Sequence, residues 1–453
     1  MTVLTSGNPA KTLISFAGPI AIGRLLQTFY TMADTKIIGL FLGASALASV
    51  SSVAPVCHLL YVFIDGMALG FGIVIATANG KRNEKMVREA FTLSFYLILI
   101  TTAVLSFFLF FFMDQLLYFL RIPQNELAAA KSYLAIICLG LLVTAFQNLL
   151  TNALRSIGNS LAALYILGIS SLGNIAFDLF FICILKSGPE GAAFATVLSQ
   201  VISAVICMIY IHHKVAVIGL KMLNRENCRA LLPDLIKSGI SMGLQSSIVN
   251  IGTVMLQMSI NALDTAIIIA HSSARRVFEL VYIPYASLGF AMVTFTATNH
   301  GAGQPDRIKK GYVAALKLLL CWTAAISLVN LCFAGRFIEF FASSDQAEIL
   351  FWGSRYLWIE MPSMAICGLV LLTRNLLQGL GNRVIPLLSS VLELFVKGGC
   401  AFISLYLIGY WGVIMSEPVS WILMSILLIW GLQKRKSTNT DFPASWSIGG
   451  SNP

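Results

Sequence analysis

The stretch LAALYILGISSLGNIAFDLFFICIL, residues 161–185, decides the fold class of this protein. It is longer than the about 20 apolar residues that a helix needs to cross roughly 30 Å of hydrocarbon. Asp178 is its only charged residue. Because lipid offers no partners to backbone N–H and C=O groups, a spanning segment of this length must form a helix that satisfies them internally.

The composition of the whole chain agrees with that interpretation. Of 453 residues, 57% are hydrophobic and 11% are charged, whereas soluble domains carry about 25% charged residues. The surplus apolar surface must therefore face lipid, and the sequence predicts an all-α polytopic membrane protein with twelve transmembrane helices. The other predicted spans are 12–38, 45–78, 91–112, 133–153, 192–211, 239–262, 266–298, 308–334, 356–378, 384–410 and 411–432.

Lys and Arg concentrate in alternate loops, among them 81–88, 307–310 and 434–436. Positive loops remain on the cytoplasmic side of a membrane, so we expect an inner-membrane protein with both termini in the cytoplasm. Topology and contact with anionic lipid explain the net charge of +10. The charge therefore gives no reason to expect a nucleic-acid partner.

The two halves of the chain resemble each other. LGF at 69–71, followed by Asn79, recurs as LGF at 288–290, followed by Asn299, and ALRSIGN at 153–159 recurs as LLQGLGN at 376–382. Such repeats of six helices are typical of transporters, which bind substrate near the bilayer midplane. The predicted organisation is an N-lobe of helices 1–6 at 1–215, a cytoplasmic loop at 216–232, a C-lobe of helices 7–12 at 233–433 and a disordered tail at 434–453.

Three polar residues of the first half are candidates for ion coupling: Asp34, Asn174 and Asp178. Asp34 shares one helix face with Gln27 and Tyr30, and Asn174 lies one turn before Asp178. A carboxyl group held away from water favours its neutral form and can take up and release a proton. The alternatives are hydration of Asp34 at the outer interface and a structural hydrogen bond for Asp178.

The second half offers Glu393 and Lys397, which are four residues apart and can pair on one helix. Their role is structural or functional, and the roles of Asp65 and Arg24 stay open. The nine cysteines and five histidines have no ligand spacing, so we expect neither a metal site nor a cofactor.

The chain resembles the multidrug and toxic compound extrusion (MATE) transporters at three stretches, which cover residues 19–48, 152–178 and 188–196. The resemblance implies a V-shaped molecule of two pseudo-symmetric six-helix lobes with alternating access. It implies ion coupling at Asp34, Asn174 and Asp178. Cavity-lining polar positions would be Gln27, Tyr30, Asn148 and Thr196.

Some sodium-linked members of that family also carry acids on helices 7 and 10. This chain has Gln245 on helix 7, and Glu360 is expected at the start of helix 10. We therefore place the coupling chemistry in the N-lobe.

The predicted function is secondary active efflux of organic cations in exchange for H⁺, with Na⁺ as the other candidate ion, by a monomer in the lipid bilayer. The alternative is a flippase or exporter for a lipid-linked saccharide, or another lipid, of the same superfamily. No catalytic set of Ser, His and Asp and no phosphate-binding glycine loop occurs in the polar loops, so an enzyme is not expected.

Overall fold

A computed structural model describes residues 2–221 and 225–438, and the described chain is helical, with no strand in these ranges. The helices are α1 Pro9–Gly80, α2 Glu84–Phe111, α3 Met113–Phe119, α4 Gln124–Ser156, α5 Ser160–Asp178, α6 Pro189–Lys214, α7 Arg225–Ile260, α8 Thr265–Gly301, α9 Pro305–Ala342, α10 Ala347–Gly379, α11 Val384–Ile408 and α12 Tyr410–Thr438. A π-helical turn, Leu179–Ile184, continues α5.

The helices confirm the predicted fold class. In the described ranges, ten helical segments are long and apolar enough to cross a membrane, with α1 counted once. The 72 residues of α1 leave helical angles at Gly43 (φ 83°, ψ 179°), which divides α1 into two arms, each long enough for one span. Counting both arms and adding the 25 residues of α11 gives the twelve predicted spans. The positive φ of Gly43 is unfavourable for any residue that has a Cβ atom, which explains why a glycine lies there.

The internal repeat has a structural basis at the turns after α4 and α10. Gly158 (φ 86°) and Gly381 (φ 83°) both adopt left-handed backbone angles. The asparagine that follows each glycine caps the next helix: Asn159 Oδ1 accepts from Ala162 N at 3.3 Å, and Asn382 Oδ1 accepts from Ile385 N at 3.2 Å. A side-chain oxygen at this position satisfies an otherwise unpaired N–H group of the first turn. The repeated Gly-Asn pair therefore makes the same turn twice.

The described chain forms two compact units. The N-unit is built mainly from Ile22–Leu244, and the C-unit from Val3–Ala21 together with the chain from Gln245 onward. These bounds differ from the predicted lobes, because the first part of α1 groups with the C-unit and the first part of α7 with the N-unit.

The predicted loop at 216–232 is wrong in its second part, since α7 begins at Arg225. Its polar composition suggested a loop, but Leu231 and Leu235 are buried in the main apolar core of the N-unit, as is Ile218 before them. Burial of this face stabilises helix where polarity alone predicted none. Helix α12 likewise continues to Thr438, inside the predicted tail. The remainder of that tail lies outside the described residues.

Candidate functional site

Asp34 and Asp178 come together in the N-unit. Asp34 lies on the first arm of α1, and Asp178 is the last residue of α5, directly before the π-helical turn. Their carboxyl groups lie within hydrogen-bonding reach of each other. Asp178 is 0% exposed, and Asp34 is half-buried. We call these two residues the acid pair.

An apolar cluster holds the two helices at this distance. Ile38, one turn beyond Asp34, and Ile182, one turn beyond Asp178, are buried in the same cluster with Ala192 of α6. The π-helical turn begins immediately after Asp178, and such turns occur frequently at functional sites. The packing of neighbouring isoleucines therefore brings two acidic side chains into contact.

Among the described residues, the acid pair has no compensating partner. Oδ1 of Asp34 and both carboxylate oxygens of Asp178 are buried and accept no hydrogen bond from any donor among the described residues. Two ionised carboxylates can only accept, so a hydrogen bond between them requires a proton on one of them. Two like charges in contact away from water disfavour double ionisation. The pair can therefore share a proton, or hold a cation in its place.

Amide and hydroxyl groups lie on the helix turns that precede the two acids. Asn174 is buried, and its Nδ2 donates to Thr196 Oγ1 at 3.4 Å while its Oδ1 has no donor among the described residues. Tyr30 lies within hydrogen-bonding reach of Gln27 and in electrostatic range of both acids. The structure thus joins Asn174 to Thr196 and Tyr30 to Gln27.

Sequence reasoning missed two tyrosines near the acids. Tyr133 of α4 lies in electrostatic range of both Asp34 and Asp178, and Tyr61 on the second arm of α1 lies in range of Asp34. Both side chains are long and lie far from the acids in sequence, Tyr133 on α4 and Tyr61 beyond the break of α1 at Gly43, so no local spacing pointed to them.

Asn148 belongs to a different environment. The backbone carbonyl of Asn148 accepts a hydrogen bond from Asn152 Nδ2 at 3.0 Å. In the described part of the chain, no hydrogen bond joins the Asn148 side chain to the acid pair. Asn152 Nδ2 also reaches Asp65 Oδ1 at 3.5 Å. Arg155 lies in electrostatic range of Asp65 and of Arg24. Asp65, Arg24 and Arg155 therefore form a polar cluster of their own, which is distinct from the acid pair.

In the C-unit, the expected pair of Glu393 and Lys397 does not form. Glu393 Oε2 accepts from Arg374 Nη2 at 3.1 Å, whereas Lys397 Nζ lies 2.5 Å from Glu417 Oε1. Arg275 Nη1 reaches the other oxygen of Glu417 at 2.8 Å. The correct partners lie on neighbouring helices, because cross-helix contacts between buried side chains outweigh the i, i+4 spacing on α11.

Glu360 was expected at the start of helix 10, but it lies in the middle of α10 and is 0% exposed. Both of its oxygens lack a donor among the described residues, and it lies in electrostatic range of Arg275, Lys397 and Glu417.

Sequence reasoning also missed that Glu417 is buried, although Glu417 interrupts the apolar stretch 411–432 just as Asp178 interrupts the stretch 161–185. Gln245 of α7 is buried and accepts from Gln378 Nε2 at 2.6 Å.

Comparison with known proteins agrees with this architecture. The family model named MatE matches residues 19–180 and 241–398. The chain is 26% identical over 307 residues to a probable multidrug resistance protein of Bacillus subtilis (strain 168), YpnP, covering 67% of this chain and 68% of that protein. It is 23% identical to an FAD transporter of Shewanella oneidensis, covering 93% of this chain and 94% of that protein.

The fold is shared with a solved multidrug resistance MATE family transporter in an outward-facing conformation, at a TM-score of 0.87 and 22% identity over 96% of this chain and 98% of that chain. Because the family model covers more than half of the sequence, the chain belongs to the MatE family. It is accordingly a multi-pass membrane protein of a multidrug efflux family, a transporter and not an enzyme.

Proposed function

We propose that this transporter exports organic cations in exchange for protons, and that the acid pair is the place where proton and substrate compete. We also propose that it acts as a monomer with both termini in the cytoplasm. The observation that supports the exchange is the contact between the carboxyl groups of Asp34 and Asp178, which lack any donor among the described residues.

The chemistry of competition is simple. With a proton bound, the acid pair carries at most one negative charge, and its attraction for an organic cation is weaker than that of the doubly ionised pair. When the proton leaves, the extra negative charge favours cation binding in a site of low polarity, where charges interact strongly. Alternating access then requires that proton uptake on one side of the membrane releases the cation on that side. A tenfold change in affinity corresponds to about 1.4 kcal/mol, a modest demand on one proton.

Coupling is tested with purified protein in proteoliposomes that carry a proton gradient or a sodium gradient, imposed separately. We expect ethidium transport with the proton gradient and none with sodium alone. Transport driven by sodium alone would replace the proton in this proposal. Asp34→Asn and Asp178→Asn should each abolish transport, and Asp114→Asn is the matched control, since Asp114 of the same unit is exposed and pairs with Lys131.

Export of an anionic substrate is the second candidate, and the relative named FAD transporter is the observation that favours it. An anion carrier or a lipid-linked saccharide flippase needs uncompensated cations along its path. In the C-unit, however, Arg275 and Lys397 both contact Glu417, and Arg374 contacts Glu393. We therefore rank it below cation export. Flavin transport that survives Asp178→Asn while ethidium transport is absent would reverse that order.

A further inference from the structure

The first turns of α9 form a basic groove on the surface of the C-unit. The groove has a volume of about 500 Å³ and is lined by Asp306, Lys309, Lys310, Val313, Ala314 and Lys317. Three of its six lining residues are lysines and one is an acid, so its net charge is positive.

Two of these lysines have no partner within the described protein. Neither Lys310 nor Lys317 forms an ion pair or hydrogen bond with another described residue. Arg307, in the same first turns, is different: it donates to the backbone oxygens of Leu4, Ser6 and Gly7 and so fastens the amino-terminal segment. In the first turns of α9, the lysines without a partner among the described residues therefore line the groove.

The preference for positive residues at the cytoplasmic ends of membrane helices explains why a lysine occurs at position 310, but not why one occurs at position 317. Lys317 lies seven residues further along the helix, which is about 10 Å along its axis, inside a segment long and apolar enough to span the membrane. A lysine there costs free energy unless its ammonium group reaches the interface or an anion. Beyond it, the large exposed side chains Leu320, Trp322 and Leu328 are apolar or aromatic. The exposed surface of α9 thus passes from basic to apolar within a few turns.

The repeat supplies an internal comparison. Arg82 before α2 and Gly303 before α9 both have positive φ, which fixes the register between the two helices. In that register, Glu89 corresponds to Lys310 and Tyr96 to Lys317. Glu89 is buried, and Tyr96 is exposed. The basic groove is therefore not a feature that both halves need for folding.

We propose that this groove binds the headgroup of an anionic phospholipid, with the acyl chains along the apolar continuation of α9. The phosphate would lie between Lys310 and Lys317, beside Val313 and Ala314. A free phosphate ion could use the two ammonium groups but would gain nothing from the apolar surface beyond them. This inference depends on the membrane location of the chain and not on the proposed transport reaction.

The test is native mass spectrometry of the full-length protein, released from nanodiscs of phosphatidylcholine that contain a minority of phosphatidylglycerol. The double variant Lys310→Gln/Lys317→Gln is compared with Lys81→Gln/Lys85→Gln, which removes the same charge at the start of the corresponding helix of the N-unit. We expect the α9 variant to retain phosphatidylglycerol about 30-fold more weakly, at roughly 1 kcal/mol per lysine, while the control retains it like the wild type.

Equal retention by wild type and the α9 variant would overturn the proposal, provided that both unfold at the same temperature. If the α9 variant does not fold, Lys310→Arg/Lys317→Arg tests the same point, because it keeps the charges and should keep the lipid. Inorganic phosphate in excess should leave bound phosphatidylglycerol in place. Displacement of the lipid by phosphate would mean that the groove binds a free anion instead.

Discussion

Buried acids occur in both units. Glu360 of the C-unit has no donor among the described residues, but the other buried acids of the two units that are described here have opposite surroundings. In the N-unit, Asp34 and Asp178 lie against each other, and no cation among the described residues compensates them. In the C-unit, Glu417 contacts both Arg275 and Lys397, and Glu393 contacts Arg374. The same side-chain type can therefore serve ion exchange in one unit and helix packing in the other, and the partners decide which.

Physical reasoning links that difference to function. A buried carboxylate held by two cations has a fixed charge, because releasing it leaves the cations unpaired. A buried carboxylate whose neighbour is another carboxylate gains from taking up a proton or a cation. Exchange chemistry is therefore expected at the acid pair, and stability is expected to depend on the pairs of the C-unit.

The largest expected effect separates transport from stability. Asp178→Asn should reduce ethidium export to the background of empty vesicles while leaving the thermal unfolding temperature unchanged or higher, because it removes like-charge repulsion in the N-unit. Export and unfolding are measured on the same purified sample. A strong loss of stability with normal export per folded molecule would place Asp178 among the structural acids and end the contrast.

The converse variant is Glu417→Gln in the C-unit. It removes the only carboxylate among the described residues that contacts both Arg275 and Lys397, so we expect the free energy of unfolding to fall by about 3–5 kcal/mol, as for other broken buried pairs. Denaturant or thermal unfolding in detergent measures the change. If stability is unaffected and only proton-driven export is lost, Glu417 belongs to the exchange machinery.

Arg374 and Glu393 allow a double-mutant cycle on the second pair of the C-unit. Both side chains are buried, at 7% and 8% exposure, and Arg374 Nε also donates to Ser389 Oγ at 3.1 Å. We expect Arg374→Met and Glu393→Gln to be coupled by about 1–3 kcal/mol in unfolding free energy. Additive effects of the two substitutions would show that the contact contributes little.

The smallest effect is expected at Asn174, which lies one turn before Asp178 on α5. Asn174→Ala removes an amide whose Oδ1 has no donor among the described residues, and it should weaken ethidium binding about tenfold, or about 1.4 kcal/mol. Fluorescence titration measures the affinity, and Asn148→Ala is the control, since Asn148 lies on α4 and not on the turn before Asp178. Equal losses in both variants would count against a specific role.

The sequence was sufficient for the fold class because membrane spans depend on length and polarity, both of which are local. It also singled out Asp178, whose apolar neighbours make its burial evident, and the Gly-Asn turns of the repeat. It did not identify the partners of Lys397 or Glu393, because those contacts join different helices. The spacing of four residues on α11 suggested a pair that the packing of α10 and α12 replaces.

The misjudged positions have related causes. The sequence predicts Glu360 near a helix end because the apolar stretch 356–378 is short, whereas α10 begins at Ala347. It predicts a loop at the start of α7 because the residues there are polar. In both places burial against neighbouring helices, and not local composition, determined the outcome.

The most direct measurement of the central claim is the number of protons released when the purified protein binds ethidium. It is obtained by calorimetry in buffers of different ionisation enthalpy at one pH. Competition at the acid pair predicts release of about one proton per bound cation, affinity that tightens as the pH rises, and no proton release in folded Asp178→Asn. Binding with no proton release in the wild type, and an affinity independent of pH, would contradict the account.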